Sequence, residues 1–307
     1  MNNGFEKAPD SFGLGRESFS ACNNAIIVTG SARSGTTILG KLLHSFEGVE
    51  YAFEPPTLYS LFALMKQLTP EQWQLMYETY LYEEFFINAL AGRSLNCNRK
   101  DDSSIYNVKN AADIETRLTN SMSKNEVETL RRDSRIAYKM PDIVGYLPQL
   151  KGWYPDSTIV VITRKAPEVF QSLLRKAWFN DKNLQFKNEI WPCYRIGDKK
   201  VPFWVEVKDA ERWSQMDELH RIAYYYLIIS KLALAIKDKV TIKYDELVST
   251  PQSVVANLAE ELGLCWGEKT ESITASVIRQ TRVVDQGILA GLQPRVRAEV
   301  LLWSEAS

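Results

Sequence analysis

Residues 25–37 read AIIVTGSARSGTT, and this stretch decides the fold. Its apolar first part predicts a short buried strand over residues 25–29, and a helix is predicted over residues 36–46. Between them, Gly30 and Gly35 let a small-residue loop wrap closely around an anion, with successive amides and the helix N-terminus facing it. We therefore expect a nucleotide phosphate here; the alternative is a plain strand-to-helix turn.

The loop differs in its charges from the phosphate loop of ATPases. That pattern requires Lys after the second glycine, whereas Thr36 stands there and the positive charge lies inside the loop at Arg33. The apolar run at residues 158–163 is followed by Arg164 and not by an acidic magnesium ligand. These features favour a different phosphate donor over the rival function of a P-loop kinase or NTPase.

Strands and helices alternate along the rest of the chain. Apolar and β-branched runs predict further strands over residues 48–53, 135–139, 158–163 and 239–243. Helical spacing predicts helices over residues 58–95, 111–131, 144–151, 166–179, 214–237 and 251–262, whereas residues 180–213 show little periodicity. This order predicts an α/β fold: a P-loop-like parallel sheet, flanked by helices on both faces and carrying helical insertions. Ligands are expected at the carboxyl ends of the strands.

The composition excludes several classes of function. The formal net charge is −1, so no bulk charge attracts nucleic acid or an anionic membrane surface. Four cysteines lie far apart and only two histidines are present, which argues against a metal centre and for reduced thiols. The N-terminus lacks the apolar core of a signal peptide, and the apolar stretch 222–236 is too short to span a bilayer. We expect a cytoplasmic protein that binds no nucleic acid, membrane or metal, unless a membrane anchor has been removed from the chain.

Four segments, in order along the chain, resemble sulfotransferases that use 3′-phosphoadenosine 5′-phosphosulfate (PAPS). The run TGSARSGTTIL at residues 29–39 resembles their 5′-phosphosulfate loop, particularly in the carbohydrate, tyrosylprotein and bacterial branches. Residues 138–141, YKMP, are similar to a Lys-x-Pro segment of these branches, and residues 158–179 resemble the 3′-phosphate element. Residues 239–264 resemble the late strand, the Tyr-acidic-x-Leu motif and the Pro-initiated helix. The resemblance extends over residues 25–263.

The resemblance implies PAPS as the sulfuryl donor, without a metal. The donor-binding residues that it implies are Ser31, Ala32, Arg33, Ser34, Gly35, Thr36, Thr37, Arg164, Ser172 and Tyr244. Arg164 and Ser172 also have a physical basis of their own. A guanidinium at the carboxyl end of a parallel strand faces the ligand crevice and grips phosphate with two hydrogen bonds, and a serine in the next helix adds a hydroxyl donor. The alternative is an ordinary surface Arg and a solvated helix Ser.

Sulfuryl transfer requires placement and charge neutralisation more than covalent help. The expected catalytic residues are Glu54, Arg33 and Lys139. Arg33 and Lys139 neutralise charge on the leaving oxygen and the sulfuryl group, and Glu54 accepts the proton of the acceptor. Glu54 resembles the Glu of the tyrosylprotein and carbohydrate branches, and its apolar neighbours desolvate it, which improves it as a base near neutral pH. The alternatives are a structural Glu54 paired with a loop arginine, or a base at His44 or His220, which are expected to be structural or solvated.

The chain is expected to form one main unit. We predict a polar N-terminal extension over residues 1–24 and a single sulfotransferase domain over residues 25–307, long enough for a sizeable core. Insertions on the acceptor side are predicted at about residues 57–135 and 180–213. The sequence does not define the oligomeric state.

The acceptor is the least defined partner. Residues 178–204 mix aromatic and basic side chains, which suit a sugar or an aromatic ring, or form ordinary core and surface: Trp178, Phe179, Trp191, Tyr194, Phe203, Trp204, Lys182, Lys187, Arg195, Lys199 and Lys200. We expect a hydroxyl, or an amine, of a small molecule or sugar as the acceptor. Arg279 and Arg282 are candidates for a C-terminal lid. A non-catalytic nucleotide-binding protein on the same fold is the second rival function.

Overall fold

The computed structural model of the protein describes residues 13–101, 104–119, 122–185, 192–277 and 283–306. Its strands, in chain order, are β1 (Ile26–Thr29), β2 (Val49–Phe53), β3 (Arg135–Lys139), β4 (Thr158–Thr163), β5 (Cys193–Ile196), β6 (Lys199–Pro202) and β7 (Lys239–Lys243). A parallel sheet has the order β2-β3-β1-β4-β7, and β5 and β6 form an antiparallel hairpin. The parallel sheet confirms the predicted α/β fold.

Both faces of the sheet are buried, because alternate residues of a strand point in opposite directions. In β1, Ile27 packs into one hydrophobic core, whereas Ile26 and Val28 pack into the other. In β4, Val161 and Val160 divide between the two cores in the same way. The short apolar runs of the sequence thus form strands that are covered on both sides.

Helices cover both faces of this sheet. In chain order they are α1 (Arg16–Asn23), α2 (Thr36–Ser45), α3 (Pro56–Leu64), α4 (Pro70–Glu78), α5 (Asn88–Leu90), α6 (Ala111–Thr119), α7 (Lys124–Arg132), α8 (Leu147–Trp153), α9 (Ala166–Lys176), α10 (Ala210–Gln215), α11 (Glu218–Ala235), α12 (Tyr244–Ser249), α13 (Pro251–Leu262), α14 (Thr270–Ala275) and α15 (Pro294–Glu305). A π-helical segment, Thr79–Ile87, joins α4 to α5. Helices α2 and α13 contribute Leu39 and Leu258 to one core, whereas α9 and α11 contribute Phe170 and Tyr226 to the other.

Where the sequence predicts one charged helix over residues 111–131, the structure has two, α6 and α7. A capping box starts α7: the Ser123 hydroxyl accepts a hydrogen bond from Glu126 N at 3.3 Å, and Glu126 Oε2 accepts one from Ser123 N at 2.7 Å. Such a box satisfies two backbone donors and fixes a new helix start. The uncharged stretch LTNSMS at residues 118–123 lies between the two charged segments, so a prediction of one continuous helix misses the break.

The segment around residues 180–213 is more regular than predicted. The helix predicted to reach residue 179 ends at Lys176, because Ala177 adopts a left-handed conformation with a φ of 54°. The segment itself contains the β5–β6 hairpin and α10. The next helix, α11, begins at Glu218, where the Asp217 side chain caps it by accepting a hydrogen bond from His220 N at 2.8 Å. Local capping chemistry therefore sets boundaries that periodicity does not.

Two terminal helices have no counterpart in the sequence analysis. In α1, Ser18 donates a hydrogen bond to Glu78 Oε2 at 2.8 Å, and Cys22 is fully buried. In α15, the Ser304 hydroxyl accepts a hydrogen bond from Ala166 N at 2.8 Å, so this helix packs at the start of α9. Part of the predicted N-terminal extension is thus docked onto the domain.

Candidate active site

The loop between β1 and α2 has the backbone that an anion cradle needs. Gly30 and Gly35 have φ angles of 139° and 106°, a region that favours glycine. A Cβ at Gly30 would collide with the carbonyl oxygen of Ile162, and one at Gly35 would collide with the ring of Tyr244. Both glycines are therefore required, and the loop lies tightly between β4 and Tyr244 at the N-terminus of α2.

Arg33 of this loop meets the segment predicted to bind the 3′-phosphate. Its Nε donates a hydrogen bond to Ser172 Oγ at 3.0 Å, and its carbonyl oxygen accepts one from Arg164 Nη1 at 3.1 Å. Its guanidinium lies 5.8 Å from the ring centroid of Trp178. Two arginines and a serine thus converge beside the loop, where they provide positive charge and donors for phosphate groups.

Arg164 is held between an acid and an aromatic ring. Its Nε lies 2.5 Å from Glu168 Oε2, and its guanidinium lies 3.9 Å from the ring centroid of Tyr244. The register of β4 and β7, in which Thr163 pairs with Lys243, brings the carboxyl ends of these strands together. Tyr244 therefore reaches the site by stacking on the cation that follows β4.

Lys139 and Glu54 form an ion pair at the ends of neighbouring strands. Lys139 Nζ lies 2.5 Å from Glu54 Oε1, and it donates a hydrogen bond to Thr37 Oγ1, in the first turn of α2, at 3.2 Å. The pair forms because Phe53 of β2 is in register with Lys139 of β3, and Glu54 follows with a φ of 42°. Loss of hydration lowers the pKa of the Lys139 ammonium, and the carboxylate of Glu54 opposes that shift.

A cavity of about 1840 Å³ brings most of these groups together. Most of the predicted donor-binding residues line it, namely Ala32, Arg33, Gly35, Thr36, Thr37, Arg164 and Tyr244, and so do Glu54 and Lys139. Ser31, Ser34 and Ser172 are not part of its lining. Ser34 Oγ instead donates a hydrogen bond to the carbonyl of Ser31 at 2.6 Å, and Ser172 contacts Arg33. Ser31 and Ser34 therefore stabilise the loop backbone, and Ser172 positions the Arg33 side chain.

Aromatic side chains form another part of the cavity lining, which we call the aromatic wall: Tyr59, Phe179, Phe203, Trp204 and Tyr225. The ring centroids of Tyr59 and Phe203 are 6.1 Å apart. Those of Tyr225 lie 5.4 Å from Phe179 and 4.9 Å from Trp204. A continuous apolar surface therefore faces the space beside Glu54 and Lys139.

The residues predicted on the acceptor side divide into three groups. Trp178 and Lys200 line the cavity together with the predicted members of the aromatic wall. Predicted residues that are not part of the lining are Lys182, Tyr194, Arg195 and Lys199. Lys187 and Trp191 lie outside the described residues, and so do the lid candidates Arg279 and Arg282. Most of the predicted aromatic residues therefore line the cavity, whereas most of the predicted basic residues do not.

Asp142 is a carboxyl group of this cavity that the sequence analysis missed. It follows Lys139 by three positions, has a φ of 76°, and accepts a hydrogen bond from the Tyr225 hydroxyl at its Oδ1. Loss of hydration, helped by the nearby carboxylate of Glu54, raises the pKa of Asp142 to about 7. The acid directly after the Lys-x-Pro segment is a signal that was available in the sequence. Nothing in the sequence of α11 marks Tyr225.

Neither histidine is placed as a general base beside Lys139. His44 lines the cavity and is half-buried, but its ring centroid lies 5.6 Å from that of Tyr51, and loss of hydration lowers its pKa well below the usual value. His220 Nδ1 lies 2.8 Å from Asp217 Oδ2, and His220 is not part of the cavity lining. Glu54 therefore stays the predicted base.

The described part of the chain contains neither a metal-binding cluster nor a helix suited to cross a membrane. Among those residues, no group of three or more His, Cys, Asp or Glu side chains is arranged to hold a metal ion. None of the helices within the same ranges is both long and apolar enough to cross a membrane. All four cysteines are free.

The parallel sheet, the glycine-framed loop and the arginines beside it define the class of α/β proteins that bind a phosphate-bearing ligand after their first strand. The family follows from comparison with known proteins. A family model described as the sulfotransferase family matches residues 25–268, and the chain therefore belongs to the sulfotransferase family. No curated protein matches the chain by sequence.

Several solved structures resemble the chain. The sulfotransferase domain from the curacin biosynthetic pathway is 12% identical over 92% of this chain and 96% of that one, with a TM-score of 0.47. The sulfotransferase domain of the olefin synthase from Synechococcus PCC 7002 is 13% identical over 98% and 97%, with a TM-score of 0.48. Sulfotransferase STF9 from Mycobacterium avium is 12% identical over 93% and 77%, with a TM-score of 0.48. Likenesses this weak carry no argument about substrates.

Proposed function

We propose that this sulfotransferase moves a sulfuryl group from PAPS to a hydroxyl, or an amine, of a small-molecule or sugar acceptor and releases 3′-phosphoadenosine 5′-phosphate (PAP). The observation that carries the proposal is the contact of Lys139 with Glu54 and Thr37. It puts a cation and a proton acceptor beside the start of the helix that follows the anion loop. We place the reaction in the cytoplasm, in keeping with cysteines that form no disulfide.

The residues present fit a donor with two separate phosphate positions. The glycine-framed loop and the N-terminus of α2 suit the phosphosulfate end. Arg33, Arg164 and Ser172 form a second group of donors beside the loop, which suits the 3′-phosphate. The loop needs no lysine of its own, because Lys139 brings an ammonium group to Thr37 from β3. This arrangement favours PAPS over a nucleoside triphosphate.

In the proposed reaction, the acceptor oxygen forms a bond to sulfur while the bond between sulfur and the phosphate oxygen of the donor breaks. Glu54 takes the proton of the acceptor hydroxyl. Lys139 and Arg33 neutralise the charge that develops on the leaving oxygen, which remains with PAP. The ion pair to Lys139 orients the Glu54 carboxylate, and the aromatic wall holds the acceptor and keeps water away from the transfer.

The donor is tested by titrating the purified protein with PAP, beside Mg·ATP and AMP, and recording the melting temperature. A ligand that binds only the folded state raises the melting temperature once its concentration exceeds its Kd. We expect saturable stabilisation by PAP without magnesium. Stabilisation by Mg·ATP without any response to PAP would overturn the proposal in favour of a kinase or NTPase.

Variants sharpen this experiment. Arg164→Ala and Ser172→Ala should weaken the response to PAP, since they remove the groups that surround Arg33. Arg212→Ala is the matched control: Arg212 is exposed and pairs with Asp209 at 3.1 Å, and it is not part of the cavity lining. Incubation with PAPS and a panel of acceptors then tests turnover. Tight PAP binding with no PAP formation across the panel would favour a non-catalytic nucleotide-binding protein.

A further inference from the structure

The peptide at Arg33 has a backbone conformation that needs outside support. Its φ of 70° lies in the left-handed region, which is unfavourable for a residue that carries a side chain. Such conformations persist only where the surroundings fix them. Arg33 is fixed by Arg164 at its carbonyl and by Ser172 at its side chain. The peptide before it is fixed separately, by a residue from α11.

That residue is Tyr225, which is fully buried in the aromatic wall. Its hydroxyl oxygen accepts a hydrogen bond from Ala32 N at 2.5 Å, and its proton is donated to Asp142 Oδ1. A phenol has one proton to donate. Because Asp142 takes that proton, the lone pairs of the Tyr225 oxygen are left for the amide of Ala32. Asp142 therefore sets the direction of both hydrogen bonds.

We propose that Tyr225 and Asp142 are positioning residues of the donor loop, a role that rests on the proposed function. Asp142 aligns the Tyr225 hydroxyl, Tyr225 holds the Ala32 amide, and the held amide keeps Arg33 in its strained conformation next to Arg164 and Ser172. This contact uses the Ala32 amide, and the Ser34 amide donates a hydrogen bond to the carbonyl of Ser31, so the loop amides left for the donor are that of Arg33 and those from Gly35 onward. Since Asp142 and Tyr225 line the same cavity as Glu54, the acceptor side of the cavity supports the donor side.

The proposal is tested by calorimetric titration with PAP, which needs no knowledge of the acceptor. Tyr225→Phe and Asp142→Ala should each weaken PAP binding about 10-fold, the effect of one well-placed hydrogen bond. Asp142→Asn keeps an oxygen that accepts the Tyr225 proton, and it should restore most of the affinity lost in Asp142→Ala. Tyr224→Phe is the matched control: it removes the adjacent hydroxyl of α11, which donates to Asp209 Oδ2 at 3.0 Å and lies outside the cavity lining. It should bind PAP like the wild type.

A double-mutant cycle separates positioning from a general structural role. If Tyr225 acts through Arg33, Tyr225→Phe should have little further effect on PAP affinity in an Arg33→Ala background. The same loss of about 10-fold in both backgrounds would overturn the proposal. So would wild-type affinity in Tyr225→Phe. If that variant does not fold, the Asp142→Ala and Asp142→Asn variants carry the same cycle with Arg33→Ala. A wild-type protein that binds no PAP would contradict the proposed function, which is a distinct outcome.

Discussion

Two carboxylates, Glu50 within β2 and Glu54 directly after it, line the cavity and each bind a basic residue, yet the two ion pairs differ in their surroundings. Glu50 Oε1 lies 2.8 Å from Arg117 Nη1, and the two side chains are 2% and 7% exposed. Glu54 Oε1 lies 2.5 Å from Lys139 Nζ, and the exposed fractions are 22% and 3%. Arg117 has Asp113 as a further partner at 3.0 Å. The Glu50 pair is thus enclosed, whereas the Glu54 carboxylate is partly open, and we predict that only Glu54 takes a proton from a ligand.

The largest effect is expected from Glu54→Gln. The substitution keeps the size of the side chain and removes the proton acceptor, so turnover of PAPS should fall about 10²–10⁴-fold. The melting temperature and the affinity for PAP should stay close to those of the wild type, because Glu54 is partly open to the cavity. PAP formation with an acceptor found by screening, together with thermal melts, measures both quantities.

Glu50→Gln is the matched control, since it makes the same chemical change at a carboxylate that also lines the cavity but is paired with Arg117. We expect this variant to lose thermal stability and to retain turnover at a temperature at which it is folded. Equal losses of turnover in the two variants would show that Glu54 acts through the fold and not as a base.

A second prediction concerns the enclosed pair. Arg117→Ala leaves the Glu50 carboxylate buried without its partner, and loss of one member of a buried ion pair costs about 3–5 kcal/mol. Urea denaturation should show this decrease in the free energy of unfolding. Turnover of the folded fraction should be close to normal, because Arg117 is not part of the cavity lining. A loss below about 1 kcal/mol, the level of a surface pair, would contradict the comparison.

Asp142 differs from both Glu50 and Glu54, because its carboxyl forms no ion pair with a basic side chain in the described part of the chain. The groups that influence it are Tyr225, Glu54 and Lys139. Its pKa is raised from 3.8 to about 7 in the folded state. The ionised form is thus the costly one, and the folded protein loses stability as the pH rises through this range.

The third prediction follows from this loss of stability with rising pH. Asp142→Asn removes the cost of ionisation and should stabilise the protein by about 2 kcal/mol at about pH 8. The full shift of the Asp142 pKa corresponds to roughly 4 kcal/mol, but the side chain is partly exposed, so we expect a smaller gain. The gain should shrink as the pH falls and vanish below about pH 3, where the wild-type carboxyl is protonated in both states. Melts across this range measure it. A gain that is independent of pH would contradict the assignment.

The sequence predicts the sheet and the loop well, because their signals are local. The strands predicted over residues 158–163 and 239–243 coincide with β4 and β7, and the β-branched run of β4 ends directly before the charged Arg164. Gly30 and Gly35 mark the loop because a side chain at either position would collide with its surroundings. Lys139 and Glu54 were both selected from the sequence, and the register of β2 and β3 explains why they meet.

The parts of the site that the sequence does not predict depend on contacts between distant segments. Tyr225 reaches Ala32 and Asp142 only because α11 packs across the loop, and no local pattern encodes that docking. The positive φ of Asp142 is likewise set by its surroundings. The start of α7, in contrast, has a local signal, because Ser123 and Glu126 have the spacing of a capping box and residues 118–123 carry no charge.

The smallest effect is expected from Thr37→Val, which tests how Lys139 is held on the loop side of its ion pair. The substitution keeps the shape of the side chain and removes the Oγ1 that accepts a hydrogen bond from Lys139 Nζ at 3.2 Å. Lys139 keeps Glu54 as its partner, so turnover should fall only about 5- to 10-fold, the effect of one hydrogen bond. Thr116→Val, on the exposed side of α6, is the control and should leave turnover unchanged. A loss as large as that of Glu54→Gln would mean that Thr37 contacts the transferring group itself. In that case Glu54 alone would position Lys139.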